Sequence, residues 1–377
     1  MTNAPTGLPL QQGRAADEYL LEYLETCGDL GQTLILHDAA GRLTAGLATR
    51  GGLGNAIVVN EWASGRSHIA GAQRDSDFAD GTPDPVPVVS ILEVDPSQPF
   101  DTVVFRVPKS NAELVDTLHR IRPHLTAETE IVGSGMVKHI HTSTLDHMAS
   151  IIGPTTTSLA KKKARLIHAR FDPDLSVEES PWPNQWRTHG VTVVNHGGGF
   201  SPDKLDIGTQ FLLDTVSDPG QFVDGDRVRM VDLGCGNGIV GLVLARRLAE
   251  VHGSVEIVAI DDSALAVDAT EQGWAAVNQV SPGVTCRAHH ADRMVQVVDD
   301  ASADLVVVNP PFHDDRAVGD HIAWSMFVDA HKVLRPGGSL IVVGNRHLAY
   351  HAKLKKIFGA VDELATNKRF VIHRAIR

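Results

Sequence analysis

At 377 residues, with 42% hydrophobic and 5% aromatic content, the chain is long enough for two ordinary cores and has the composition of a folded globular protein. A net charge of -12 argues against broad electrostatic capture of nucleic acid, so any such contact must rest on local basic clusters. No apolar run approaches the roughly 20 residues of a spanning helix, and the N-terminus carries neither a basic nor an apolar leader segment, which predicts a cytoplasmic protein that avoids membranes.

The N-terminal half opens its first apolar strand at 34–37, and Asp38-Ala39-Ala40-Gly41 follows without the glycines of a nucleotide-binding turn. A second run, 100–109, ends in Arg106-Val107-Pro108-Lys109; after a helical stretch, Arg122-Pro123 leads to a further run at 130–133. Lys161, Lys162, Lys163, Arg165 and Arg170 then occur with no acidic residue among them. The first four are candidate RNA-binding residues, against the plainer reading of a solvated helix face. Residues 172–190 are rich in proline and acidic residues and lack periodicity, which predicts a linker between domains at 1–171 and 191–377.

Beyond the linker, β-branched runs at 228–232, 255–260, 284–288, 305–308 and 339–343 alternate with helical stretches from Ile239, from Ala264 and over 321–334. That alternation predicts a mostly parallel, doubly wound α/β sheet. The chain closes on a basic run that includes Lys353, Lys355, Lys356, Lys368, Arg369, Arg374 and Arg377. Cys27, Cys235 and Cys286 are few and far apart, which suits a reducing compartment and forms no metal-ligand pattern, so no metal is expected.

The halves echo each other. Asp101 matches Asp304, Pro108 matches Pro311, and Arg122-Pro123 before 130–133 matches Arg335-Pro336 before 341–344. We infer a tandem duplication in which Arg106-Val107-Pro108-Lys109 stands where Asn309-Pro310-Pro311-Phe312 stands in the second copy. The first copy is expected to bind no cofactor.

Chemistry concentrates in the second copy. Asp232-Leu233-Gly234-Cys235-Gly236-Asn237-Gly238 follows a strand and opens a helix, so its glycines let the backbone turn sharply and approach a ligand. Gly236, Gly238 and Gly241 also satisfy the dinucleotide pattern, but Asp232 ahead of the first glycine favours the cationic S-adenosylmethionine over an anionic pyrophosphate. Asp261, ending the next strand, is the candidate for ribose hydroxyls, with Asp262 as ligand and Asp261 as helix cap the alternative. Asp292, after the third strand, is a candidate for the adenine amino group.

Asn309-Pro310-Pro311-Phe312 directly follows the fourth strand. An exocyclic base nitrogen is a poor nucleophile because its lone pair is delocalised into the ring. The Asn309 side-chain oxygen and the Pro310 carbonyl can accept from such an amine and orient it, Phe312 can stack on the base, and the prolines stiffen the turn. His313 is a conceivable proton acceptor, though a packing or surface role is the plainer reading.

With its glycine loop, this tetrapeptide resembles the amino-group methyltransferases of DNA, RNA and glutamine side chains. Residues 200–208, Asn309 to His313, 345–348, 353–359 and 365–370 resemble the bacterial ribosomal RNA (guanine-N2)-methyltransferases. The likeness is greater to the G type, which acts on large-subunit RNA, than to the C type, which acts on small-subunit RNA. Arg106 to Lys109, 153–157 and 162–167 extend it across nearly the whole chain.

The resemblance implies two tandem Rossmann-like class I methyltransferase domains. The first is degenerate and serves RNA binding or support. It adds Asp206 and Gly208 to the cofactor pocket, with ribosomal RNA or a ribosomal assembly intermediate as partner and a monomer as the working form. Rival readings are methylation of 16S rRNA, methylation of a protein glutamine, and a non-catalytic RNA-binding assembly factor; a dehydrogenase would leave the Asn-Pro-Pro-Phe segment unused.

Overall fold

The computed structural model describes residues 14–49, 53–75, 86–201, 204–278, 283–311 and 316–377. The chain divides into two compact units, Met1–Pro183 and Asn184–Arg377.

The first unit contains β1 (Thr33–Leu36), β2 (Ala56–Val59), β3 (Val88–Val89), β4 (Thr102–Arg106), β5 (Glu130–Met136), β6 (Thr155–Thr157) and β7 (Ala164–Ala169). Its helices are α1 (Arg14–Leu24), α2 (Arg42–Ala48), α3 (Ala63–Asp75), α4 (Asn111–Ile121) and α5 (Thr142–Ile151). The sheet order is β3-β2-β1-β4-β5-β7-β6, parallel except for β7 and its partnership with β6.

The second unit contains β8 (Asn184–Thr188), β9 (Val191–Asn195), β10 (Arg227–Leu233), β11 (Ser254–Asp261), β12 (Val284–His290), β13 (Ala303–Val308), β14 (Leu334–Asn345), β15 (Val361–Thr366) and β16 (Phe370–Ile376). Its helices are α6 (Ile207–Thr215), α7 (Ile239–Ala249), α8 (Ala264–Asn278), α9 (Arg316–Val333) and α10 (Tyr350–Phe358). The main sheet runs β12-β11-β10-β13-β14-β16-β15, with β16 antiparallel to β14 and to β15, and β8 and β9 form a separate hairpin. The two main sheets therefore have one strand order. Both are the Rossmann-like α/β arrangement of class I methyltransferases, as the sequence predicts.

The central strands are mostly apolar because both faces of each sheet are covered. Along β13, Leu305 and Val307 enter one core with α6 and α7, while Val306 and Val308 enter the other with α9 and α10. Alternating residues thus serve opposite cores.

Three segments differ from the sequence expectation. Within the expected linker, 172–190, β8 forms and pairs with β9 through a turn at His189 and Gly190, whose φ angles are 49° and 73°. Its residues alternate half-buried and exposed, and most are polar, which masks the strand. Lys162 and Lys163, at φ of 49° and 63°, form a second turn of this kind between Lys161 and Ala164, so the basic cluster sits on a hairpin tip and not on a helix. The C-terminal basic run contains α10 and the antiparallel pair β15 and β16.

Candidate active site

At β10 the strand order of the second sheet reverses, and ligands of open α/β sheets gather outside the carboxyl ends of such strands. Leu233 is in register with Ile260 on one side and Val308 on the other. The next residues outward are Asp261, Gly234 and Asn309, which lie side by side at strand spacings of about 4.8 Å. Glycine loop, carboxylate and strand-end asparagine thus share one edge. Asp292 is exposed two residues beyond the end of β12.

The loop is held by its neighbours on that edge. Gly234, Gly236 and Gly238 take φ of 72°, 57° and 72°, a left-handed conformation that side chains rarely adopt. Amides of Gly234 and Cys235 donate to the Ile260 carbonyl at 2.8 and 3.1 Å, and Gly236 N–H donates to Asp261 Oδ2 at 2.9 Å. A Cβ on Gly238 would meet Thr270 Cγ2 at 2.7 Å, whereas one on Gly236 would meet nothing within 4 Å. Gly238 is therefore required by packing, while Gly236 faces open space.

Asp261 Oδ1 also accepts from Ser263 N–H at 2.9 Å. The hydroxyl of Ser263 accepts from Ala266 N–H at 3.4 Å, so Ser263, and not Asp261, caps α8. Asp232 is buried and accepts from Gly241 N–H at 2.8 Å. Burial pushes its carboxyl up to about 7 despite that bond, and the negative charge of Asp261 adds to the shift. Burial raises Asp261 as well. Burial opposes ionisation of both carboxyls; a nearby cation would favour it and a pyrophosphate would oppose it further.

Asn309 completes the edge. Its Nδ2 donates to Thr209 Oγ1 at 3.0 Å, while its Oδ1 is buried with no hydrogen-bond partner among the described residues. Thr209 lies in the first turn of α6, which Asp206 caps by accepting from Thr209 N–H at 2.9 Å. Gly208 is buried between them, where an added Cβ would lie 3.0 Å from Asp206 Oδ2 and 3.2 Å from Phe370 Cε1. Pro310 is buried and Pro311 half-buried; Phe312 and His313 lie outside the described residues.

Sequence reasoning missed several supports of this site. Asn195, at the end of β9, accepts from Asn237 Nδ2 at 2.7 Å and so ties the glycine loop to the hairpin. The adjacent buried His196 contacts Asp268 of α8 at 2.6 Å. Thr209 directly follows the segment 200–208, but no spacing rule links α6 to a strand end 100 residues later.

The proposed basic patch is less free than its composition suggests. Lys161 pairs with Glu22, and Lys162 with Glu18 at 3.3 Å, both acids being on α1; the three lysines remain exposed. Arg165 is half-buried.

Corresponding places in the first unit carry different chemistry. Leu36 is in register with Val59 and Phe105, so His37, Asn60 and Arg106 stand where Gly234, Asp261 and Asn309 stand in the second. Only the last of the three glycines remains, but the path of the turn survives: His37 has a φ of 57° and Gly41, which caps α2, a φ of 67°. Asn60 Oδ1 accepts from Trp62 N–H at 3.0 Å, just as Asp261 accepts from Ser263. Arg106 and Arg42 both pair with the buried Asp17 of α1, the helix corresponding to α6. Arginines thus occupy the edge where the second unit has carboxylates and a carboxamide.

Comparison with known proteins agrees with this geometry. Residues 190–374 match the family model described as "Methyltransferase small domain", and residues 4–173 match "RLMG N-terminal domain". The chain is 40% identical to the Ribosomal RNA large subunit methyltransferase G of Streptomyces coelicolor, over 96% of this chain and 93% of that one. It is 39% identical to the protein of that name from Erwinia tasmaniensis, over 98% and 93%. Among solved structures, a T. thermophilus 16S rRNA N2 methyltransferase in complex with AdoMet and guanosine matches with a TM-score of 0.75 at 20% identity, covering 97% of this chain and 93% of that one. The chain belongs to the ribosomal RNA large subunit methyltransferase G family.

Proposed function

We propose that this methyltransferase uses S-adenosylmethionine to methylate the exocyclic N2 of a guanine in large-subunit ribosomal RNA. The observation that carries the reading is the unpartnered, buried Oδ1 of Asn309 beside the glycine loop. An acceptor left dry in this way costs about 1–3 kcal/mol, and an incoming N–H donor removes that cost. An exocyclic amine is such a donor, and the neighbouring carbonyl of Pro310 supplies a second acceptor, so the two together orient the amine and free its lone pair from the ring. Phe312 is assigned the stacking contact with an unstacked base.

The donor set fits the cofactor. Gly234, Gly236, Asn237 and Gly238 would form the backbone cradle, Asp232 and Asp261 the negative potential beneath it, and Asp261 retains lone pairs for ribose hydroxyls. Asp206 and Gly208 would border the pocket from α6, and Asp292 would meet the adenine amino group. When bound, S-adenosylmethionine supplies an electrophilic methyl group on a sulfonium. The protein's own contribution is to hold the amine in line and exclude competing donors from Asn309.

The names of the relatives support the large subunit, and the guanosine of the matched T. thermophilus structure supports the base. The first unit is assigned RNA contact or support, with Lys163 and Arg165 less committed than Lys161 and Lys162. We assign the protein to the cytoplasm as a monomer acting on RNA or an assembly intermediate; among the described residues no helix is long and apolar enough to cross a membrane. Nucleoside analysis of 23S and 16S rRNA from cells with and without the gene tests the reading. Loss of N2-methylguanosine from 23S alone is expected. Loss from 16S alone would move the substrate to the small ribosomal particle, and labelled methyl recovered only in peptides would end the RNA reading.

A further inference from the structure

We infer that Thr209 is a positioning residue for methyl transfer, whose hydroxyl holds Asn309 Nδ2 and thereby turns the carboxamide oxygen toward the substrate amine. The inference rests on the role proposed for Asn309. A carboxamide presents either an acceptor or two donors, and its two ends are nearly equal in shape. Pocket shape alone therefore does not choose between them, and because a hydroxyl can pair with either end, the orientation is the one whose pairing the structure adopts. Only the acceptor end serves an amine; the donor end would repel it.

In the structure Thr209 Oγ1 accepts from Nδ2 at 3.0 Å, and this pairing leaves Oδ1 buried and, among the described residues, without a partner. Thr209 is itself only 5% exposed, so water competes poorly for Nδ2. Its own position is set from behind. Asp206 Oδ2 accepts the Thr209 N–H at 2.9 Å, and the glycine between them lets the turn pack close to Phe370 of β16. Asp206, Gly208 and Thr209 thus form a bracket that fixes one amide orientation at the strand end. No other described residue is hydrogen-bonded to the Asn309 side chain.

The test measures single-turnover methyl transfer to the form of large-subunit RNA that the wild-type protein methylates, with S-adenosylmethionine affinity followed in parallel by calorimetry. Thr209→Val should lower the rate about tenfold or more, the worth of one oriented polar contact, while cofactor affinity stays within about twofold. Thr209→Ser should keep most of the rate, since it retains the hydroxyl. Thr209→Val combined with Asn309→Ala should be no slower than Asn309→Ala alone, because both act through one group. A wild-type rate for Thr209→Val beside a slow Asn309→Ala would overturn the inference and leave the role of Asn309 standing. Loss of cofactor affinity in Thr209→Val, or failure of serine to restore the rate, would assign Thr209 a structural role instead. A wild-type rate for Asn309→Ala would remove the role of Asn309 itself.

Discussion

A carboxyl buried under a glycine loop is costly to ionise, and Asp232, pushed up to about 7, makes that cost measurable. Its folded value lies above the unfolded one, so the native state binds the extra proton and apo stability falls as pH rises from about 4 to 7. A cationic ligand needs the ionised form, so S-adenosylmethionine affinity should weaken as pH drops below 7, by up to about tenfold per unit. Asp232→Asn keeps an acceptor for Gly241 but cannot ionise; calorimetry at pH 5.5 and 7 should show that dependence flattened. Asn309 belongs to the same scale. Asn309→Ala should leave cofactor affinity nearly intact and cut methyl transfer by about 10²-fold, as for other preorganised polar contacts; single-turnover assays check it. These residues were legible in the sequence because each sits within a few positions of a strand end. Thr209 and Asn195 were not, since their roles depend on contacts across long sequence separations.

Among the elements, the start of the fourth strand shows how the duplication was preserved. Asp304 accepts from Arg229 N–H at 2.6 Å and Asp101 from Gln32 N–H at 2.8 Å, each across the register of the two central strands. Asp304 is buried and Asp101 exposed. Asp304→Ala should therefore cost about 1–3 kcal/mol by removing a buried acceptor that serves Arg229 N–H and also pairs with Arg335, and Asp101→Ala much less, because water replaces the lost acceptor. Denaturant unfolding of both variants checks the contrast. Matching these aspartates from sequence was possible because each lies at the start of a mostly apolar strand, β4 or β13. Several strands escaped reading: β8 is mostly polar and β15 an edge strand without a fully buried residue, while β2, β7, β9 and β16 bury apolar residues and were not read either. The pairs His189-Gly190 and Lys162-Lys163 hid two hairpins because histidine and lysine seldom take the positive φ that their turns require.

Across the whole molecule, one strand order is used twice with different side chains at the same sheet edge. Cofactor binding should slow amide hydrogen exchange at 234–238 and 261–263 and leave 37–41 and 60–62 unchanged, because Arg42, Arg106 and Asp17 occupy that edge in the first unit. Slowed exchange in both segments would mean a second cofactor site. The sequence by itself determined the fold class, the glycine loop and the strand-end tetrapeptide, because these arise from local periodicity and from backbone conformations that only certain residues allow. Tertiary structure alone decided which atoms remain unsatisfied. An oxygen such as Asn309 Oδ1 is left without a partner only after distant helices and strands have packed around it and excluded water, and no stretch of neighbouring residues records that outcome.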